Sequence, residues 1–377
     1  MALMQRAALS TPDAVAGAIQ GPAVSSAASL ERFLHQLPKM ELHCHLLGTV
    51  RRATFEDLAR RSGAPLSARE IEAFYTRGEK PVGVLRVLRA LDSWLLTSPD
   101  DFYRLTLEYL QDAARHGVAY AEFSWNPTGT AAVSGLAYAR VLPAIRRAIA
   151  DARAQFGIVG RLLPAIDREA GPAAAREMLS WVLAARCDEV PGIGMDYREA
   201  NGPPELFAET YAAARAAGLK TTAHAGEFGL PAANVRTALD LLRVDRIDHG
   251  YTIVDDPVLL RQAVDAGVVF TVVPTNSYYL RTLAPQRWAL DHPIRRMQAL
   301  GLRVHPNTDD PTLHQVTPTG AWTMMQRDFG YSIAQLRQCM LDGLDGAWID
   351  DGTRRAWRAE WCQRFDALQR EHLPAPA

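Results

Sequence analysis

The seven residues from Met40 to Leu46 read MELHCHL. This short apolar run predicts a buried strand that carries two histidines, two residues apart. Because side chains alternate along a strand, His43 and His45 point to one face and Cys44 points to the other. Two imidazoles on one strand face make half of a metal site, although two hydrogen-bonded core histidines would give the same pattern. A metal site therefore requires further ligands from later strands.

The composition is that of an ordinary globular protein. The 377 residues are 48% hydrophobic and 22% charged, and 41 basic against 42 acidic side chains give a net charge of −1. This balance, with no basic run, argues against nucleic-acid binding through a phosphate-neutralising surface. The four cysteines lie far apart without a CxxC pair, which suits reduced thiols in a cytoplasmic protein. No apolar run approaches the roughly 20 residues of a membrane span.

Strand-like and helix-like segments alternate through most of the chain. After the run at Met40, apolar segments that end in polar residues predict strands at 119–125, 159–167, 192–197, 220–226, 246–250, 268–274 and 303–310. Each is followed by a helical segment, so the α/β chain has eight parallel βα units. Eight such units predict a (β/α)8 TIM-type barrel.

Two regions lie outside this repeat. Several helical segments precede the second strand, so we expect a helical insertion after the first strand that covers the barrel mouth, and extra helices follow the eighth strand. Residues 1–29 are rich in Ala and Ser, and we expect a loosely ordered extension there. Residues 30–377 are then predicted to form a single barrel domain.

Polar residues of catalytic type recur at the ends of the predicted strands, where the active sites of barrels lie. They are His43, His45, His224, Glu227, His249, Asp309 and Asp310. Imidazole and carboxylate are ligands of zinc, and a catalytic zinc keeps an open position for water. Glu227 lies three residues past His224, where it could act as a non-ligating general acid.

Four motifs, PKMELHCHLLG, HAGE, RIDHG and NTDDP, occur in this order and resemble those of the adenosine deaminase family of the amidohydrolase superfamily. The resemblance runs from about Leu30 to the C-terminal helices and implies the same barrel with one zinc ion per chain. Binuclear relatives carry a bridging Lys or Glu at the end of the fourth strand. Here that strand end has no Lys, which agrees with a single zinc, although Glu199 follows nearby. The implied zinc ligands are His43, His45, His224 and Asp309.

The same resemblance implies roles for the other motif residues. Glu227 would protonate the purine ring nitrogen next to the attacked carbon, and His249 would orient the attacking water and help to deprotonate it. Asp310 would position the attacking hydroxide and bond the imidazole part of the purine, while the Gly226 backbone would pack against the ring. These roles imply hydrolysis of a 6-aminopurine, as the small-molecule partner, to the 6-oxo product and ammonia.

Two residues depart from the family pattern and bear on the substrate. Leu47 stands where adenosine deaminases carry an Asp that binds the ribose 5′ hydroxyl, and Glu199 stands at a Gly position. We therefore expect both to contact substrate, and adenosine to be a poorer substrate than adenine or a 5′-modified adenosine. Alternatively, Leu47 packs against the insertion and Glu199 pairs with Arg168 or Arg198.

Two other functions remain open from the residues alone. One is a metal-dependent hydrolase of amides or esters, and the other is a zinc-binding pseudo-enzyme. The intact Glu227, His249 and Asp310 argue against the latter, because a metal-binding module needs none of them. Weaker candidates for the cavity wall are Trp94, Leu95, Arg168, Asn276, Ser277 and His314.

Overall fold

The computed structural model describes residues 27–76 and 83–373. Eight parallel strands pair in chain order, so the predicted (β/α)8 barrel is confirmed. The seam closes where the His45 N–H donates to the Asp309 carbonyl (2.8 Å) and the Leu42 N–H donates to Asn307 Oδ1 (2.8 Å). The strands are β1 (Lys39–Glu41), β2 (Val118–Trp125), β3 (Val159–Asp167), β4 (Gly192–Asp196), β5 (Lys220–Ala225), β6 (Arg246–His249), β7 (Val269–Val272) and β8 (Arg303–Pro306).

Helices surround the barrel and follow most of the predicted segments. The α-helices are Ala27–Gln36, Arg52–Ser62, Ala68–Tyr75, Val84–Ala90, Pro99–Arg115, Pro127–Ser134, Tyr138–Phe156, Gly171–Ala184, Ala208–Ala216, Ala233–Thr237, Pro257–Asp265, Asn276–Leu280, Trp288–Asp291, Ile294–Met297, Pro311–His314, Pro318–Arg327, Ile333–Gly346 and Asp351–His372. The helices Asn276–Leu280 and Trp288–Asp291 after β7 escaped prediction because they are too short to show a 3.6-residue period, whereas Ile294–Met297 lies within the helical segment predicted before β8. In the described part of the chain, no helix is long and apolar enough to cross a membrane.

The predicted extension at residues 1–29 lies outside the described residues, apart from its last three. Residues 27–29 belong to the helix Ala27–Gln36, which packs Phe33 and Leu34 into the core. The division into an extension and a single barrel domain therefore stays a prediction.

The helical insertion after β1 lies over the barrel mouth, as expected. Its helix Ala68–Tyr75 begins with a capping box, in which Ser67 Oγ accepts from the Glu70 N–H and the Glu70 carboxylate accepts from the Ser67 N–H. Such a cap satisfies two backbone donors that a helix start otherwise leaves unpaired. The next helix, Val84–Ala90, contributes Val84, Leu85 and Leu88 to the wall of a cavity.

A buried ion pair lies inside the barrel among the strands that carry the site. Arg246 Nη2 lies 2.8 Å from Glu122 Oε2, and neither side chain is more than 1% exposed. Arg246 also donates to the carbonyls of Leu42 (3.1 Å) and Gly346 (3.0 Å). Removal of one partner from such a pair typically costs about 3–5 kcal/mol, because the other charge is left buried and alone. We infer that this network holds β2, β6 and the residues after β1 together beneath the site.

Candidate active site and metal centre

Four side chains meet at the C-terminal end of the barrel: His43, His45, His224 and Asp309, here called the ligand cluster. His224 Nε2 lies 3.1 Å from His43 Nε2 and 3.2 Å from His45 Nε2. Asp309 Oδ1 lies 3.0 Å from His45 Nε2 and 3.5 Å from His43 Nε2. Zinc bonds of about 2.0–2.1 Å give a tetrahedron with edges of about 3.3–3.4 Å. The spacing of the four atoms therefore fits tetrahedral zinc.

The histidine tautomers agree with this fit. Each Nδ1 faces outward toward an oxygen acceptor, which leaves an Nε2 lone pair directed into the cluster. Three lone pairs and a carboxylate repel one another unless a cation lies between them. The cluster thus suits a divalent metal and not a network of hydrogen bonds. The outward acceptors are the Thr271 carbonyl for His43 (3.1 Å), Asp196 Oδ2 for His45 (3.3 Å) and Asp248 Oδ2 for His224 (3.5 Å).

The backbone at two strand ends is strained. Asp309 has a φ of +64° and His249 a φ of +69°, in the left-handed region that residues other than glycine rarely adopt. Asp309 directly contacts two of the clustered histidines, and His249 packs its ring 4.6 Å from that of His43. Backbone strain of this kind concentrates at active sites, where the surrounding structure maintains it.

Glu227 lines the cavity beside the ligand cluster and is 7% exposed. Its Oε1 accepts a hydrogen bond of 3.0 Å from Asn276 Nδ2, which also donates to Asp309 Oδ2 over 3.1 Å. Burial, and then the negative charges of Asp309 and Glu199, raise the pKa of Glu227 well above its usual range. Burial and the neighbouring charges thus favour the protonated form of this carboxyl group, which suits it to act as a general acid.

His249 is fully buried behind the cluster. The Tyr251 hydroxyl lies 3.1 Å from both the Val273 carbonyl and His249 Nδ1, so a hydroxyl that donates to the carbonyl accepts from a protonated His249 Nδ1. His249 Nε2 then presents a lone pair 3.8 Å from Glu227 Oε1 and has no hydrogen-bond partner among the described residues. Burial, and then His43 and His224, lower the pKa of His249 well below its usual range. The residue is therefore a neutral imidazole that can accept a proton.

A cavity of about 240 Å³ opens onto the ligand cluster. Glu227, Asp309 and Asp310 line its side nearest the cluster, so this side is acidic. The remaining described wall is largely apolar with two basic side chains, which suits a flat heterocycle with one polar edge. Those residues include Val84, Leu85, Arg86, Leu88, Arg198, Phe228, Tyr279, Leu280 and His314.

The Asp310 carboxylate accounts for the presence of a glycine at position 48, the last residue of the first motif. A Cβ atom at Gly48 would lie 1.9 Å from Asp310 Oδ1, so no other residue fits there without moving that carboxylate. The HLLG and NTDDP motifs thus meet in space, although they lie at opposite ends of the barrel sequence.

The structure places the three other predicted substrate contacts away from the cavity wall. Leu47 is 7% exposed and packs in the hydrophobic core, because the short helix Leu46–Thr49 turns it inward. The Glu199 carboxylate accepts from the N–H groups of Gly226 (3.0 Å) and Glu227 (2.7 Å). None of Leu47, Glu199 and Gly226 is among the described residues that line the cavity. The structure shows Leu47 packed in the core and Glu199 holding a turn, and the substrate contacts expected of Leu47, Glu199 and Gly226 stay predictions.

The weaker candidates divide in a similar way. Asn276 and His314 line the cavity, whereas Arg168 is buried behind it and donates to the His224 carbonyl (2.7 Å). Trp94 is 43% exposed, while Leu95 and Ser277 are buried, and none of the three is in the described cavity wall.

Sequence reasoning missed the carboxylates that hold the histidines from behind. Asp196 ends β4 and Asp248 lies within β6, and each contacts the Nδ1 of one clustered histidine. Asp248 sits inside the RIDHG motif and Asp196 at a predicted strand end, so the signal used for the other residues could have found both.

Three comparisons with known proteins agree with this geometry. A profile described as adenosine deaminase matches residues 38–361. An adenine deaminase of Chlorobium luteolum is 36% identical over 284 residues, which cover 74% of this chain and 80% of that protein. A Burkholderia ambifaria amidohydrolase, crystallised with bound zinc, is 60% identical with a TM-score of 0.91 over 93% of this chain and 96% of that one.

A second solved structure extends the match to a protein with a named activity. The adenine deaminase of Arthrobacter aurescens is 29% identical with a TM-score of 0.79, over 87% of this chain and 98% of that one. Residues 38–361, which the adenosine deaminase profile matches, include every strand of the barrel and every residue of the ligand cluster. The chain therefore belongs to the adenosine deaminase family and is a zinc-dependent hydrolase of that family.

Proposed function

We propose that the protein removes the amino group of a 6-aminopurine by hydrolysis, with the 6-oxopurine and ammonia as products. One observation carries the proposal: a buried acid, Glu227, and a neutral base, His249 Nε2, lie 3.8 Å apart beside the ligand cluster. Hydrolytic deamination needs both, because a ring nitrogen must gain a proton while the attacking water loses one. The raised pKa of Glu227 favours its acid form and the lowered pKa of His249 favours its neutral form, so the two residues suit these opposite roles.

The residues of this chain can be assigned to the steps. His43, His45, His224 and Asp309 would hold the zinc ion, which when bound would lower the pKa of a water to about 7 and so make hydroxide available at neutral pH. Glu227 donates its proton to the ring nitrogen next to the amino-bearing carbon, which makes that carbon more electrophilic. His249 accepts a proton from the attacking water, and Asp310 accepts a hydrogen bond that orients it. His249 then gives its proton to the amino group, which leaves as ammonia when the carbon–nitrogen bond breaks. The hydroxyl on the attacked carbon loses its proton to the Glu227 carboxylate as the 6-oxo group forms, which restores the acid.

The proposed substrate is the free base adenine. The relatives that support it are the adenine deaminases of Chlorobium luteolum and Arthrobacter aurescens, at 36% and 29% identity. Val84, Leu85, Leu88 and Leu280 form an apolar part of the described cavity wall, and their side chains offer no acceptor to a ribose hydroxyl. A hydroxyl that is buried without a partner costs about 1–3 kcal/mol, which disfavours adenosine. The same apolar wall makes an adenosine with an apolar 5′ group the second candidate.

Ammonia release from zinc-loaded protein tests the reaction and the substrate. The values of kcat/KM are compared for adenine, adenosine, 5′-deoxyadenosine and a 5′-thioether of adenosine, with amides and esters as the alternative substrate classes. We expect adenine to have the highest value and adenosine to lie about 10-fold or more below it. If only amides or esters were hydrolysed, the proposed deamination would be refuted in favour of amide or ester hydrolysis. Preference for the thioether would favour the second candidate.

A further inference from the structure

Two buried residues of opposite charge contact the end of β5 from neighbouring loops. Glu199 follows β4 and is 1% exposed, and its carboxylate accepts from the N–H groups of Gly226 (3.0 Å) and Glu227 (2.7 Å). The Asn234 side chain donates a third hydrogen bond of 2.7 Å. A carboxylate that accepts three hydrogen bonds is held firmly in the interior, because each bond to a charged group is stronger than a neutral one.

Arg168 follows β3 and is also 1% exposed. Its Nη2 donates to the His224 carbonyl over 2.7 Å, while its Nε and Nη1 have no hydrogen-bond partner among the described residues. Burial lowers the pKa of Arg168, and the charge of Glu199 is the strongest influence that opposes burial. Arg168 and Glu199 thus bond the same short segment, Arg168 through the His224 carbonyl and Glu199 through the N–H groups of Gly226 and Glu227.

The segment between the two contacts is short and tightly packed. It runs from His224 to Glu227 and contains one member of the ligand cluster and the proposed general acid. Gly226 has a φ of +72°, and a Cβ atom there would lie 2.8 Å from Thr252 Oγ1. The turn at Gly226 points its N–H and that of Glu227 at Glu199 and not at the cavity. Arg168 thus holds the carbonyl side of the segment and Glu199 holds the N–H side.

We propose that Arg168 and Glu199 form a buried clamp that positions His224 and Glu227 relative to each other. The roles of those two residues rest on the proposed function, but the clamp itself rests on the contacts. Neither clamp residue lines the described cavity wall, so both act through the segment and not on the substrate. A displacement of about 1 Å in a catalytic group can lower the rate roughly 100-fold, so the clamp would matter for the rate by keeping His224 and Glu227 in place.

The first test measures the segment directly. Glu199→Gln keeps the side-chain size but turns an NH2 group toward one of the two backbone donors. Glu169→Gln is the matched control, since Glu169 adjoins Arg168 and pairs instead with Arg89 (2.8 Å). We expect hydrogen–deuterium exchange of peptides covering Ala225–Glu227 to be about 10-fold or more faster in Glu199→Gln than in wild type and control. Equal exchange in all three proteins would overturn the clamp.

The second test concerns the metal. Arg168→Met removes the contact with His224 and keeps an apolar chain of similar length, while Arg168→Lys restores a charged donor. A substitution behind a metal ligand typically weakens metal binding about 10–100-fold. We expect zinc transfer to a chelator to be faster by this factor in Arg168→Met and partly restored in Arg168→Lys. Identical transfer in wild type and both variants would count against a role for Arg168.

The third test separates positioning from general destabilisation. Glu199→Gln should lower kcat about 10–100-fold with little change in KM, because substrate contacts stay intact. In a Glu227→Gln background the same change should have almost no further effect, since the acid that Glu199 positions is already absent. Additive losses would contradict the clamp. Absence of aminopurine turnover in wild type would refute the proposed function, while exchange and metal transfer still decide the clamp.

Discussion

His45 Nε2 lies 3.0 Å from Asp309 Oδ1, although His45 follows the first strand and Asp309 follows the eighth. The backbones of the two residues are also joined, because the His45 N–H donates to the Asp309 carbonyl over 2.8 Å. The ligand cluster therefore spans the seam at which the barrel closes. A metal bound there ties together the two ends of the sheet, so metal binding and folding are coupled.

Removal of one clustered histidine should abolish tight metal binding. We expect wild type purified without added metal to hold about one zinc per chain, and His224→Ala to hold almost none. His314→Ala is the control, because His314 lines the same cavity but is not one of the four clustered residues. The metal content per chain is measured by elemental analysis. Two metals per wild-type chain, or an equal loss of zinc in both variants, would refute the assignment.

Glu227→Gln should preserve the fold and the zinc while abolishing most of the activity. The amide has nearly the same shape but no acidic proton, and general acid catalysis contributes about 10²–10⁴-fold. We expect kcat to fall by that factor, with unchanged zinc content and melting temperature. A variant with near wild-type kcat would show that the proton reaches the ring nitrogen from another group.

Asn276→Ala should lower kcat by less than Glu227→Gln does. Asn276 Nδ2 bridges Glu227 Oε1 (3.0 Å) and Asp309 Oδ2 (3.1 Å), so its loss frees the acid without removing it. Hydrogen bonds to such groups are worth about 1.5–3 kcal/mol, which corresponds to roughly 10–100-fold. Steady-state kinetics with adenine measure the effect, and Ser277→Ala, one residue along the same helix, is the control.

Leu47→Ala should reduce stability and leave substrate preference unchanged. Leu47 is packed in the core, where truncation to Ala typically costs about 2–5 kcal/mol. Leu280→Ala is the comparison, since Leu280 is 38% exposed and lines the cavity. We expect urea unfolding to detect the first change, and the ratio of kcat/KM for adenine and adenosine to detect only the second. A change of that ratio in Leu47→Ala would contradict this prediction and show that Leu47 contacts the substrate.

His292 should make the protein less stable in acid. Burial lowers the pKa of His292 to about 3, against 6.5 for the ordinary side chain. Between these pH values the unfolded chain binds more protons, so the free energy of unfolding falls as the pH falls. The contribution is complete above about pH 6.5 and is lost toward pH 3, by at most about 1.4 kcal/mol per pH unit.

The measurement compares urea unfolding of wild type and His292→Asn between pH 7 and pH 4.5. Asn keeps an oxygen that can accept from the Ile294 N–H, as His292 Nδ1 does over 3.1 Å. Protonation of the metal ligands affects both proteins equally, so the difference between the two slopes belongs to His292. Parallel slopes would mean that the buried imidazole titrates normally.

Local pattern was enough to predict the eight βα units and to bring histidines and carboxylates to one barrel mouth, while the resemblance to the family implied which four of them are ligands. Apolar runs and their periods are properties of neighbouring residues, and parallel βα units bring the C-terminal ends of all strands to one mouth. His43, His224 and Asp309 could thus be expected to meet before any coordinate was known. The same reasoning could not state which nitrogen of each histidine faces inward, because the outward acceptors come from other strands.

The chain's own sequence determined the barrel and the zinc-binding residue types, and it pointed to Glu227 as the proposed acid, since each follows from residue type and strand-end position. Only the tertiary structure decided what Leu47 and Glu199 do. Both lie in short turns just past a strand, where a side chain can face the cavity or the loops around it. Packing of the core around Leu47, and the donors of the β5 turn around Glu199, made that choice. No local pattern encodes it, because the groups that compete for each side chain come from distant parts of the chain.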